Sequence, residues 1–228
     1  MKTFFTSLVL LLAFSLSAQT FDTLQFLSST VVYFDFAKSE IRSDADSTLR
    51  FFMENLPKKV DSIYITAHTD SIGNPQKNLI LSQRRAQAVI DTLVRIGMDS
   101  SLFAIGIFGE RDPIAQNSSE QGRQQNRRAT IEAFRRIKMG YISGKILDPK
   151  TGKGIEHANV IVRSKISRDS VFTDSTGAFT AKAPLGGVVG IVILLLNLLS
   201  FLTIFSLGSQ KSSLLQIHQS LLPHPVVL

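Results

Sequence analysis

Apolar positions in the first two thirds of this chain switch repeatedly between a period of two and one of 3.6, which predicts alternating strands and helices. Residues 31–36, Val-Val-Tyr-Phe-Asp-Phe, read as a strand. From residue 43 to about 55, Ala45, Leu49, Phe52, Met53 and Leu56 fall on one stripe, and Pro57 marks the end of that helix. Residues 62–68, Ser-Ile-Tyr-Ile-Thr-Ala-His, alternate in polarity and are rich in β-branched and aromatic side chains, the mark of a second strand. Gly73 and Pro75 then turn the chain into a helix over 76–96, with Leu79, Ala86, Val89, Ile90 and Leu93 at helical spacing and Gly97 as its stop. A strand over 103–108, a loop with Pro113 and a last strand over 128–134 complete the pattern. Such an order predicts an α/β sandwich, a mixed sheet with helices on one face.

Beyond Gly140 the texture changes to short strands between turns, with Gly144, Asp148-Pro149, Thr151-Gly152 and Gly154 as punctuation and Val160-Ile161-Val162 as a strand core. A partial all-β module over 140–185 is expected. Residues 187–207 then run for 21 positions without a charge, long enough for a transmembrane helix. Three readings of this C-terminal hydrophobic segment stay open: an inner-membrane anchor that leaves 209–228 in the cytoplasm, the product of a shifted reading frame or truncated gene, or a buried hydrophobic hairpin. The tail over 208–228 lacks periodicity and reads as unstructured. At the other end, Lys2, the apolar stretch to Leu16 and the small residues Ser15, Ser17 and Ala18 form the pattern of a secretory signal peptide over 1–19. Its apolar run is short for a membrane span.

Composition adds little to the fold but narrows the function. The chain has 228 residues, no Cys and a net charge of +7. An exported chain without cysteine has no disulfide to rely on and no thiol for lipid attachment. Much of the positive charge sits in Arg84-Arg85, Arg123, Arg127-Arg128 and Arg135-Arg136-Lys138. No nucleic-acid motif accompanies these clusters, so an anionic polymer of the cell wall is the expected partner and nucleic acid is not.

The chemistry worth singling out lies between Thr69 and Ala86. Asp70 sits just past a strand end, and Asn78 and Arg85 are seven residues apart, two helical turns, so they share a face. An Asp and an Arg so placed suit a zwitterion, whose ammonium would meet Asp70 and whose carboxylate would meet the planar fork of Arg85. Considered alone, the pair reads more readily as a loop cap and a solvated helix charge. His68-x-Asp70 also resembles a strand-end pair for metal or acid–base work, but no spacing completes a metal site and none is expected.

The wider pattern resembles the OmpA-like peptidoglycan-binding domain of outer-membrane anchors, peptidoglycan-associated lipoproteins and flagellar stator proteins. The matching pieces are Val32 to Ile41, then Thr69-Asp70 with Gly73, Asn78, Leu81-Ser82 and Arg84-Arg85-Ala86, then Phe108-Gly109-Glu110, Pro113-Ile114-Ala115, Asn117, Arg123 and Asn126-Arg127-Arg128. The resemblance spans about residues 30–137. Ile107 and Ala129 stand where the family usually has Gly and Val, departures that bear on packing. The resemblance implies a non-catalytic domain, without cofactor, that holds the diaminopimelate of the peptide stem and tethers a membrane to the wall. Asp70 would take the ammonium and Arg85 the carboxylate, with Thr69, Asn78, Asp35, Phe36 and Arg128 lining the same pocket. It also implies an address in the periplasm or at the outer membrane. The alternative is an exported hydrolase of the same polymer acting through His68 and Asp70. Residues 140–185, with Thr173-Asp174-Ser175-Thr176-Gly177-Ala178-Phe179, resemble a truncated carboxypeptidase regulatory-like β-sandwich module, which implies docking to another envelope protein.

Overall fold

The computed structural model describes residues 11–16, 19–148, 150–186, 188–195 and 198–206. They divide into two compact units: Leu24–Arg136, and the described residues on either side of it.

In the first unit β3 (Ser62–His68) is central. It runs parallel to β4 (Phe103–Gly109), from Ile63 opposite Phe103 to Ala67 opposite Ile107. On its other side it runs antiparallel to the first part of β5 (Arg128–Leu147), from Ser62 opposite Phe134 to Ala67 opposite Ala129. β2 (Phe21–Tyr33) joins β5 on the far side, so the sheet is mixed, as the pattern predicts. Alternation does the rest: Ile63, Ile65 and Ala67 of β3 and Ala129, Ile131 and Ala133 of β5 are all fully buried on one face. Against that face pack Ala45, Leu49 and Phe52 of α1 (Ser43–Glu54) and Ala86, Val89 and Leu93 of α2 (Pro75–Arg95). Asn74 caps α2 by accepting hydrogen bonds from the backbone N–H groups of Gln76 and Lys77, and Pro75 occupies the first turn, where its missing N–H costs nothing. α3 (Glu120–Asn126) closes the gap before β5.

Two strands are longer than predicted. β2 begins at Phe21 because Phe21, Thr23, Gln25 and Leu27 keep a half-buried alternation through residues too polar to announce a strand. β5 continues to Leu147 and serves the second unit with its latter part.

In the second unit that latter part is flanked by β8 (Ala178–Pro184), paired from Met139 opposite Pro184 to Lys145 opposite Ala178, and by β1 (Leu11–Leu16), paired with Ile142 to Leu147. A second sheet has the order β10–β9–β6–β7, built from β6 (Asn159–Arg163), β7 (Arg168–Phe172), β9 (Val188–Leu195) and β10 (Leu198–Ser206). Ile142, Ile146, Phe179 and Ala181 of the first layer and Val160, Val162, Val189, Ile191 and Ile193 of the second share one core. The unit is therefore a β-sandwich.

The transmembrane helix expected over 187–207 is not observed. β9 and β10 pair antiparallel instead, and β9 also pairs with β6 from Asn159 opposite Leu194 to Arg163 opposite Gly190. The described residues thus form a strand hairpin, of which β9 enters the core. Its physical basis is the run of β-branched residues Val188, Val189, Ile191, Val192 and Ile193, of which Val189, Ile191 and Ile193 fill the sandwich core. A strand apolar on both faces has no period for hydropathy to detect, so it reads like a membrane helix. Among the described residues no helix is long and apolar enough to cross a membrane. Of the expected signal segment, residues 11–16 form β1, Gln19 precedes β2, and residues 1–10, 17 and 18 lie outside the described residues, as does the tail over 208–228.

Candidate functional site

The end of the first unit's sheet at which β3 and β4 finish carries the residues of interest. Thr69 follows β3 directly, and its N–H donates to the Gly109 carbonyl at the end of β4 (2.7 Å). Gly109 holds φ +59 and lies so close to α2 that a Cβ would sit 3.2 Å from the Leu79 nitrogen. Its N–H donates to Ser82 Oγ (3.0 Å), which fixes the rotation of α2 about its own axis. Asn78, Ser82 and Arg85, at i, i+4 and i+7, consequently all face the sheet end and are all buried.

Arg85 is completely buried, with its guanidinium 5.0 Å over the Phe34 ring. Nε donates to the Lys38 carbonyl (2.9 Å), Nη1 to that of His68 (2.7 Å) and Nη2 to that of Asp35 (3.1 Å). Burial pushes it down to about 10, a shift partly offset by the negative charge of Asp70 and reinforced by the positive charge of Arg127, so it is cationic at neutral pH. Those three bonds leave two of its five N–H groups, one on each terminal nitrogen.

Asp70 is equally withdrawn from solvent. Oδ1 accepts from the Ile72 N–H (3.2 Å) and Oδ2 from Arg127 Nη1 (2.9 Å), with both side chains 4% exposed. Arg127 is itself anchored by Glu120 Oε1 (2.7 Å), by Gln124 Oε1 and by the Phe34 carbonyl (3.3 Å). Burial acts to lower Arg127, but its bonds to Asp70 and Glu120 outweigh this and hold it above its ordinary value. Asn78 Nδ2 meets Glu110 Oε2 (2.7 Å) and the carbonyls of Ile72 (3.2 Å) and Asp70 (3.4 Å), which ties the Asp70 loop to the β4 end.

The other expected residues fall out unevenly. Asp35 contributes its carbonyl to Arg85, while its half-exposed carboxylate bonds Arg42 (3.4 Å). Thr69 is buried, and its Oγ1 has no hydrogen-bond partner among the described residues. Phe36 is 53% exposed. Arg128 lies across from His68 by the β3–β5 register and bonds the Asp112 carbonyl (3.3 Å), so the structure does not join it to Asp70 or Arg85. Its neighbour Arg127 makes that contact. Parity along the strand would have found it: Ala129, Ile131 and Ala133 face the helices, and counting back by two reaches Arg127.

His68 and Asp70 do not work as a pair. The His68 ring stacks on Phe108 with centroids 4.9 Å apart, and Nδ1 lies 3.2 Å from the Arg111 carbonyl, to which it donates. Burial, with Arg128 nearby, lowers its pKa below the ordinary 6.5, although the Arg111 carbonyl opposes the shift. Between the folded pKa and 6.5 the unfolded chain therefore binds more protons than the folded one. Stability is full above 6.5 and falls on acidification, at no more than about 1.4 kcal/mol per pH unit. In wild type the urea midpoint should drop between pH 7 and pH 5, and His68→Phe should flatten that slope. No cluster of three or more His, Cys, Asp or Glu suited to a metal occurs among the described residues.

Comparison with known proteins places this geometry. Residues 33–127 match the OmpA family. The outer membrane porin F of Pseudomonas fluorescens is 41% identical over 108 residues, 45% of this chain and 32% of that protein. The peptidoglycan-associated lipoprotein of Pseudomonas putida is 29% identical over 102 residues, 45% of this chain and 61% of that protein. This chain thus spans between a third and three fifths of the length of these relatives. Among solved structures, the peptidoglycan-associated lipoprotein from Burkholderia pseudomallei aligns with a TM-score of 0.40 and 28% identity, covering 46% of this chain and 89% of that one. The mixed sheet with helices on one face, the buried Asp70 and Arg85 and the family match coincide on one stretch of sequence, and residues 33–127 are an OmpA-like domain.

Proposed function

We propose that the OmpA-like domain binds peptidoglycan in the cell envelope without catalysis, by clamping the diaminopimelate of the peptide stem between Asp70 and Arg85. The observation that carries this reading is the burial of both ionic groups at one sheet end, near enough for the charge of Asp70 to act on Arg85. Ionic contacts exposed to water contribute little, whereas contacts in a site already stripped of water discriminate strongly. The ligand carboxylate takes the two unspent N–H groups of Arg85. Its entry requires the turn from Asp35 to Lys38, whose end carbonyls Arg85 holds, to give way, and that turn contains Ala37 at φ +55, a conformation costly for a residue with a Cβ. The ammonium shares Asp70 with Arg127. Asn78 and Thr69 border the same pocket, and Asp35 and Phe36 form its rim.

On this reading residues 1–19 direct export and are removed, and the domain tethers a membrane to the wall from the periplasmic side. The sandwich of the second unit acts as a carboxypeptidase regulatory-like docking module for another envelope protein.

Cosedimentation of the purified protein with two insoluble sacculi tests the clamp. Peptidoglycan carrying diaminopimelate should retain it, whereas peptidoglycan with lysine at that position, lacking the second carboxylate, should not. Equal retention would remove Arg85 from recognition, and no retention by either would overturn the function.

A further inference from the structure

Beside the clamp the same unit has an open cleft of about 470 Å³, lined by the stems and polar ends of Tyr33, Arg42, Asp44, Gln121, Gln124 and Gln125. α3 supplies three of these residues at i, i+3 and i+4, a single helix face. That face is fixed by Gly122, where an added Cβ would lie 2.0 Å from the Gln116 carbonyl oxygen, so α3 is pressed onto the preceding loop. The cleft carries no unbalanced charge: Arg42 Nε and Nη2 grip both oxygens of Asp44 (3.0 Å each), and Nη1 reaches Asp35 (3.4 Å). By contrast, the amides of Gln121 and Gln125 and the Tyr33 hydroxyl have no side-chain partner among the described residues. Two walls are shared with the clamp. Gln124 donates to the Phe34 carbonyl (3.3 Å) and accepts from Arg127, the partner of Asp70, and Arg42 holds Asp35, whose carbonyl binds Arg85.

We infer that this cleft is a saccharide subsite, which receives an N-acetylated amino sugar of the polymer whose peptide stem occupies the clamp. This rests on the peptidoglycan reading above. Charge favours sugar over further peptide: the stem brings carboxylates, which need an unpaired cation, and none of the lining residues is one, while Arg128 acts on Tyr33 from outside the lining. Planar amides, a carboxylate–guanidinium pair and one aromatic ring suit neutral hydroxyl and acetamido groups instead. The volume lies within the usual range for a small-molecule site.

Titration calorimetry of the full protein with a disaccharide-tetrapeptide and with the free tetrapeptide separates the two subsites. Wild type should bind the sugar-bearing ligand about tenfold more tightly. The Gln121→Ala/Gln125→Ala variant, altered only at exposed positions, should bind both ligands at the weaker level, and Tyr33→Ala should do the same. Equal wild-type affinities, or a loss on both ligands in the variant, would overturn the subsite. The disaccharide alone, at millimolar concentration, should shift the side-chain amide resonances of Gln121 and Gln125. Such shifts with no binding of the tetrapeptide would sink the clamp and leave the subsite standing, and no shifts would count against the subsite whatever the clamp does.

Discussion

Arg85→Ala is expected to destabilise the OmpA-like domain by about 3 kcal/mol or more and to abolish retention on peptidoglycan, two effects that one measurement cannot separate. The carbonyls of Asp35, His68 and Lys38 all accept from this guanidinium at 2.7–3.1 Å, in a place no water reaches. Each carbonyl left without a donor costs about 1–3 kcal/mol, less whatever relaxation or an entering water recovers. The packing over Phe34 is lost as well. Arg85→Lys separates the effects: an ammonium keeps the charge and can serve some of the carbonyls, but it cannot present two parallel N–H groups to a carboxylate. The lysine variant should lose much less stability in urea titration than the alanine variant while still failing to cosediment with diaminopimelate-containing sacculi. Folded Arg85→Lys that binds like wild type would remove the bidentate grip from the mechanism.

Arg85 also shows how far the sequence could be read. Its position two helical turns after Asn78, behind a strand ending at His68, was enough to aim it at the Asp70 loop, because helix phase follows from spacing alone. What spacing does not supply is depth. A helical Arg between polar Gln83 and Gln87 reads as a surface charge, and only the crossing of α2 over the sheet end buries it among carbonyls 47 and 50 residues away in the chain. The same limit explains Arg128: two adjacent arginines have opposite faces, and choosing between them requires the strand register, which is a tertiary fact. The hydrophobic run after residue 186 failed differently. Its composition suits a membrane helix, because lipid and a sandwich core make the same demand on side chains, and the pairing of β9 with β6 distinguishes them. By comparison, Ser62–His68 and the helix over 76–96 were legible because strand alternation, the Gly73–Pro75 turn and the helical spacing of Leu79, Ala86, Val89 and Leu93 are local.

Removing either member of the Asp70–Arg127 pair should destabilise the domain, and unequally. Arg127→Ala leaves Asp70, 4% exposed, with the Ile72 N–H as its only hydrogen-bond partner among the described residues and Arg85 as the nearby cation, a buried charge without an ion pair, for which about 3–5 kcal/mol is the upper cost. Asp70→Ala leaves Arg127 still bonded to Glu120, Gln124 and the Phe34 carbonyl, so its cost should be markedly smaller. Binding should rank the variants differently. Asp70→Asn keeps one oxygen, which can still accept from Arg127 while the Ile72 N–H loses its acceptor, and it removes the negative charge that a ligand ammonium would meet, so it should cost less stability than Arg127→Ala and lose retention on sacculi. Urea titration of both alanine variants and their double mutant would give the coupling energy directly. A coupling near zero would mean that Arg127 is held in place by Glu120, Gln124 and the Phe34 carbonyl without Asp70. In that case Asp70 would be free to serve the ligand undivided, and the ammonium would not have to share its carboxylate.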